Sequence, residues 1–186
     1  GLAKTGTGKT AAFGLPILQL IDTNSPVIQA VILVPTRELG QQIFKNLESF
    51  ATYLPEVSIA ATCGGIPIKP QIERLTTPTH IVVATPGRLI DLIQRKAINL
   101  KETKFLVLDE VDEMVTILKE GLDEIITELP KNHKTFLFSA TLAGPIKQLI
   151  QNYLSKNVVE ISASMETIGN QGIDHQFIVR SEEHTS

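Results

Sequence analysis

Two short stretches carry residues whose types and spacing could do phosphate chemistry. The first is "AKTGTGKT", Ala3 to Thr10. Gly6 and Gly8 let the backbone curl so that successive N–H groups, from Thr5 through Thr7, point at one phosphate, and a helix beginning near Lys9 aims its positive end at the same place. Lys9 can then reach the outer phosphates, and the Thr10 hydroxyl can ligate Mg²⁺. The general phosphate-loop pattern asks for glycine where this chain has Ala3, and Gly-Lys-Thr also opens ordinary helices. The second stretch is "FLVLDEVD", Phe105 to Asp112. Four apolar residues bury a strand, and Asp109 and Glu110 emerge at its end, where one acid suits a metal and its neighbour could polarise an attacking water. Most acidic pairs are solvated turns. Here the hydrophobic run fixes the carboxylates at a sheet edge, and the same edge would carry Lys9.

The elements that must position these groups are readable from the pattern of apolar residues. Short β-branched runs recur: "AVILV" from Ala30, "VSIAAT" from Val57, "HIVVAT" from His80, "FLVLD" from Phe105, "TFLFSAT" from Thr135 and "VVEI" from Val158. Their continuous apolarity suits strands buried on both faces. Between them lie stripes at helical spacing: Leu39, Ile43, Leu47 and Phe50; then Leu89, Ile90 and Ile93; then Leu118, Leu122, Ile125, Ile126 and Leu129. This alternation predicts an α/β fold, a parallel β-sheet with helices on both faces. Clusters bearing Gly, Pro, Ser or acid follow strand after strand: "PTREL", "CGG", "TPGR", "DEVD" and "SAT". In open α/β sheets, the carboxyl edge of the strands is where ligands bind.

The chain has 186 residues, 42% of them hydrophobic, enough for one domain core. Its net charge of −3 argues against nucleic-acid binding by bulk electrostatics, so any polynucleotide must sit in a local groove. No apolar run reaches the roughly 18 residues that a membrane span needs. One cysteine, Cys63, rules out an internal disulfide, fits a reducing compartment and reads as a small buried hydrophobe. The histidines show no metal-ligand spacing: His80, His133 and His175 read as strand-flanking or surface residues, and Met114 and Met165 as packing or linker residues.

With these motifs in order, the chain resembles the first RecA-like domain of a DEAD-box RNA helicase of superfamily 2. "AxTGxGKT" at Ala3–Thr10 is that family's form of the phosphate loop, with alanine at the first position. "PTREL" at Pro35–Leu39, the Gly64–Gly65 pair, "TPGR" at Thr85–Arg88 and "SAT" at Ser139–Thr141 match its further motifs. The resemblance implies ATP and Mg²⁺ as cofactors, with Thr5, Gly6, Thr7, Gly8, Lys9 and Thr10 on the nucleotide and Thr10 and Asp109 on the metal. It implies Lys9, Asp109 and Glu110 as the catalytic set, with Glu110 the general base. Ser139 and Thr141 would link to Asp112 and couple hydrolysis to RNA binding. Thr36, Arg37, Gly65, Thr85, Gly87 and Arg88 would lie along one strand of single-stranded or short duplex RNA, gripping phosphates and 2′-hydroxyls without reading bases. No membrane and no preference for DNA are expected, and the location implied is cytoplasmic.

The tetrad departs from the family in reading "DEVD", with Val111 for alanine, and "EMVTILKEG" stands where a Gly-Phe pair is common. Val111 is expected to tighten the packing behind the loop. The domain reading is a RecA-like ATP-binding domain over 1–161, incomplete before its first strand, a linker over 162–172, the start of a second RecA-like domain over 173–179, and a non-native tail over 180–186. The tail "RSEEHTS" is what a common sequencing-library adapter would encode. On this reading the complete protein is an ATP-dependent RNA helicase that separates short duplexes locally, and the piece alone, with half a cleft, is inactive. A non-catalytic nucleotide- or RNA-binding module is the alternative, against which intact Lys9, Thr10, Asp109 and Glu110 argue. PTREL, TPGR and SAT argue against an unrelated P-loop NTPase.

Overall fold

The computed structural model describes residues 8–141 and 144–153, together with Val159 and Ile161. Among the described residues five strands, β1 (Ala30–Leu33), β2 (Ile59–Thr62), β3 (Ile81–Ala84), β4 (Phe105–Leu108) and β5 (Lys134–Leu137), alternate with six helices. These are α1 (Lys9–Leu20), α2 (Arg37–Phe50), α3 (Lys69–Leu75), α4 (Pro86–Gln94), α5 (Val111–Thr127) and α6 (Gly144–Tyr153). The strands form one parallel sheet in the order β2-β3-β1-β4-β5. Parallel pairing forces each chain return through a crossover, and the helices supply it.

Every residue of β1, β3 and β4 is buried, because these strands are flanked on both sides and covered on both faces. Side chains alternate between two cores. Val31, Leu33, Val82, Leu106 and Leu108 face α4, α5 and α6, where Leu89, Met114, Leu118, Leu122 and Ile146 meet them. Ile32, Val34, Ile81, Val83 and Val107 face α1 and α2, where Phe13, Ile17, Ile43 and Leu47 pack. The expected parallel sheet with helices on both faces is thus the observed fold. The strands are shorter than the apolar runs, four residues each; β2 starts at Ile59 because the preceding chain is turning, with the Val57 N–H donating to Leu54 O at 3.0 Å.

The two sheet edges differ. Along β2, α3 takes two carbonyls: the Arg74 guanidinium donates to Ile59 O at 3.1 Å, and the Gln71 amide donates to Cys63 O, just past the strand, at 3.1 Å. Such side-chain donors blunt an edge that could otherwise pair with another strand. At the other edge β5 leaves Phe136 39% exposed. Of the sixth run, "VVEI", only Val159 and Ile161 are described, and both are exposed. The linker, the second-domain start and the tail lie outside the described residues, as do Met165 and His175.

Candidate functional site

Because all five strands run the same way, the loops after them gather on one edge of the sheet. The loop after β4 holds the acids. The Asp109 N–H donates to Leu33 O at 2.9 Å, so the ladder with β1 continues one residue past the strand and holds Asp109 rigidly. Its carboxylate accepts from the Glu110 N–H at 3.0 Å. Glu110 has φ 52°, ψ 50°, a left-handed conformation unusual for a residue with a side chain, and it caps α5. The sharp reversal turns Glu110 back towards the cation that serves Asp109.

That cation is Lys9. Its Nζ lies 3.4 Å from Asp109 Oδ1 and 3.7 Å from Glu110 Oε1. Gly8, at φ 81°, makes the turn that starts α1 and sets Lys9 on its first position. Lys9 is 9% exposed and Asp109 2%, so the cluster is charge-paired but dry. Burial raises the Asp109 pKa above the ordinary carboxylate range; Lys9 opposes the rise, and neighbouring Glu110 adds to it. Thr10 follows on α1, half-buried. Of the expected phosphate loop, Gly8, Lys9 and Thr10 are described; Thr5, Gly6 and Thr7 lie outside the described residues.

The loop after β5 closes behind the acids. The Val111 N–H donates to Phe138 O at 3.1 Å, which ties "DEVD" to "SAT" through the backbone. Val111 itself is fully buried in the core under α5, so its extra methyl groups over alanine are packed rather than exposed. Ser139 is buried, and its hydroxyl accepts from the Thr141 N–H at 3.4 Å. Asp112, half-buried in the first turn of α5, makes no hydrogen bond to Ser139 or Thr141 here.

Farther along the same edge, a cavity of about 620 Å³ opens between the loops after β1, β2 and β3. Thr36, Arg37, Gly64, Thr85, Gly87 and Arg88 line it. Five of the six residues expected on RNA therefore share one cavity, and the sixth, Gly65, is the exposed neighbour of Gly64. Two helices begin at it. Thr36 caps α2 by accepting from the Leu39 N–H at 3.2 Å, and Thr85 stands at the N-cap of α4. Helix N-termini present N–H groups and a partial positive charge, and Arg37 and Arg88 add two full ones beside the carboxylates of Glu38 and Asp91, which line the cavity too. The Thr85 hydroxyl accepts from the Gly64 N–H at 3.0 Å, and Arg88 Nη2 donates to Ile66 O at 2.8 Å. Cys63, just behind, is buried, and burial pushes its thiol pKa up, in keeping with the packing role read from the sequence.

Three features had no motif to announce them. Gln71 is 6% exposed and braces the loop that carries the glycine pair; its only signal is a polar residue amid the apolar positions Ile68, Ile72 and Leu75. The left-handed turn at Glu110 had none. His80 flanks β3 as expected but is buried, with Nδ1 accepting from the Ser58 N–H at 2.9 Å. His133 sits in the turn before β5, its Nδ1 2.6 Å from Pro130 O, and Met114 is in the core.

Among the described residues no group of three His, Cys, Asp or Glu side chains is placed to hold an ion. Asp109, Glu110 and the Thr10 hydroxyl offer hard oxygen donors only, too few for a closed cage and suited to an ion that shares its coordination with phosphates and water. Among the described residues, no helix is long and apolar enough to cross a membrane.

Comparison with known proteins agrees with this geometry. The family model for the DEAD/DEAH box helicase matches residues 1–149. The DEAD-box ATP-dependent RNA helicase CshA of Streptococcus pneumoniae is 43% identical over 180 residues, 96% of this chain and 34% of that protein. The ATP-dependent RNA helicase DeaD of Mycobacterium tuberculosis is 39% identical over 179 residues, 96% of this chain and 32% of that protein. The chain thus spans about a third of the length of the curated relatives it matches. Among solved structures, a DEAD box protein from Methanococcus jannaschii superposes with a TM-score of 0.75 at 39% identity, covering 83% of this chain and 42% of that one. The yeast DEAD-box splicing factor Prp28 gives 0.77 at 31% identity, covering 83% and 39%.

Proposed function

The chain belongs to the DEAD/DEAH box helicase family, and on that premise we propose that it is the nucleotide-binding RecA-like domain of an ATP-dependent RNA helicase. It would work in the cytoplasm with a second RecA-like domain in cis, the domain ending near residue 161 and a linker running over 162–172. One observation carries the reading: the Lys9–Asp109–Glu110 cluster and the cavity lined by Thr36, Arg37, Thr85, Gly87 and Arg88 open on the same sheet edge. Nucleotide chemistry and a phosphate-binding groove then share one rigid platform.

Lys9 faces both acids, at 3.4 Å from Asp109 and 3.7 Å from Glu110. Phosphate oxygens over the N-terminus of α1 would offer the ammonium a multiply charged partner, and Lys9 and the N–H groups from Thr5 to Thr10 would bind them. Mg²⁺, held by the Thr10 hydroxyl and Asp109, would supply charge neutralisation on the transferring phosphoryl group. With phosphate bound at Lys9, the Glu110 carboxylate would orient a water and accept its proton. Asp109, held by the β1 ladder and by the Glu110 N–H, keeps its carboxylate aimed while this happens. Asp112, Ser139 and Thr141 would carry the coupling to RNA, with the Val111-to-Phe138 backbone bond already joining their two loops. The groove would take single-stranded or short duplex RNA through phosphates and 2′-hydroxyls, independent of sequence, because its donors are helix N-termini, hydroxyls and guanidinium groups.

The test is phosphate release from MgATP by the full-length protein, with and without single-stranded RNA. Stimulation by RNA of any sequence supports the reading; hydrolysis indifferent to RNA refutes it.

A further inference from the structure

We propose that Gln71 is a positioning residue of the RNA groove, setting the glycine-pair loop through the Cys63 carbonyl. The proposal rests on the reading of that groove as an RNA site.

The loop from Cys63 to Ile66 is held at three points by two helices, α4 and α3. Thr85, at the N-cap of α4, accepts from the Gly64 N–H at 3.0 Å. Arg88, on α4, donates to Ile66 O at 2.8 Å. Gln71, on α3, donates its amide to Cys63 O at 3.1 Å. Between these points Gly65 is exposed, with φ +78°, and a Cβ there would meet nothing within 4 Å. The loop therefore offers backbone rather than side chains, and its use depends on where that backbone is held.

Thr85 and Arg88 line the cavity and can touch a ligand as well as the loop. Gln71 is 6% exposed and does not line the cavity. It can act on a ligand only by fixing Cys63, the first residue after β2. The Thr62 carbonyl accepts from Thr85 on the β3 side, and the Cys63 carbonyl faces α3 instead, on the side of β2 where none of the described strands pairs. Without the Gln71 amide that buried acceptor has no replacement among the neighbouring strands, and the first peptide of the loop is free to tilt. The Gln71 carbonyl oxygen is itself buried without a hydrogen-bond partner among the described residues. A residue kept for packing alone would not need to be an amide, and the amide is used on one side only, towards the loop.

The simpler account is an edge cap and nothing more, the part Arg74 plays at Ile59 O. Arg74 is thus the control, since it caps the same edge four residues upstream and away from the groove. The experiment uses the full chain as wild type, Gln71→Met, which keeps length and volume but cannot donate, and Arg74→Met. Binding of a short fluorescein-labelled oligouridylate, binding of a fluorescent ATP analogue without RNA, and amide exchange of Gly64 and Gly65 are measured.

For Gln71→Met the proposal expects faster exchange at both glycines, roughly tenfold weaker RNA binding, as for one lost buried hydrogen bond, and unchanged nucleotide binding. For Arg74→Met it expects lower stability with RNA affinity kept within about twofold, as befits a substitution outside the binding surface. If Gln71→Met folds and binds RNA as wild type does, or if RNA and nucleotide affinity fall together, the proposal is overturned. Should Gln71→Met not fold, Gln71→Asn, one methylene shorter, carries the same expectations. If the wild type binds no RNA at all, the functional reading fails and the positioning role with it. The exchange data then still report whether Gln71 holds the loop.

Discussion

Replacing Lys9 by methionine removes the cation that faces two carboxylates while keeping most of the buried stem. At 3.4 Å from Asp109 the gross attraction is about 5 kcal/mol for an effective dielectric near 20. Asp109 nevertheless holds a raised pKa, so the cost of drying its charge exceeds what Lys9 returns. The pair is therefore no source of net stability, yet breaking it from one side strands a charge in a site 2% exposed. Lys9→Met should lower the stability of the nucleotide-free chain by about 3 kcal/mol, a large share of the roughly 5–15 kcal/mol typical of a domain. The matching change Asp109→Asn removes the charge whose burial is costly and leaves Lys9 paired with Glu110 at 3.7 Å, so stability should equal or exceed wild type. In the double variant most of the loss should be recovered, leaving a coupling energy of about 2 kcal/mol. Urea unfolding of all four proteins at pH 7.5 without nucleotide or metal reads this directly. With a slope of about 2 kcal/mol/M, the Lys9→Met midpoint falls by roughly 1.5 M. A Lys9→Met midpoint unchanged from wild type, or a double variant no better than the single one, refutes the reasoning.

Two predictions concern the scaffold. Lys96 ends α4 at φ 54°, with its N–H donating to Ile93 O at 2.8 Å and that of Ala97 to Leu92 O at 2.9 Å, a helix ending that favours glycine; Lys96→Gly should raise stability by about 1 kcal/mol in thermal or urea unfolding, and a loss would contradict this. His80 accepts a hydrogen bond at Nδ1 and its pKa is lowered, chiefly by burial, so the unfolded chain binds the proton more readily. Stability from the neutral ring is present above about pH 6.5 and is lost as pH falls below it. Urea midpoints taken between pH 7.5 and 5.5 should therefore fall more steeply for wild type than for His80→Leu, and parallel curves would remove His80 from the account.

How far the structure could be read from the residues alone depended on what kind of neighbour each residue had. The strands were visible because a parallel sheet covered on both faces demands unbroken apolar runs, as in "AVIL" and "IVVA". That all the polar loops share one edge followed from the same parallelism. Lys9, Asp109 and Glu110 were legible because their spacing from a glycine and from a strand end encodes where they must sit. Strand order, with β1 at the centre between β3 and β4, had no local signature. Nor did Gln71, whose role depends on which way the Cys63 carbonyl faces, or the left-handed turns at Glu110 and Lys96, which occur without glycine. His80 lay one residue outside its strand, and its burial comes from its partner on the chain before β2, too distant in sequence for any pattern to show.

Hydrolysis by Glu110→Gln bears most directly on the claim that this sheet edge cleaves ATP in answer to RNA. In the full-length protein, phosphate release with single-stranded RNA should fall by at least about a hundredfold, the usual contribution of a positioned base. ATP binding and RNA binding should both persist, since the amide keeps the shape of the carboxylate, Lys9 keeps Asp109 as a partner at 3.4 Å and the groove is unaltered. RNA-stimulated turnover at the wild-type rate in Glu110→Gln would contradict the account.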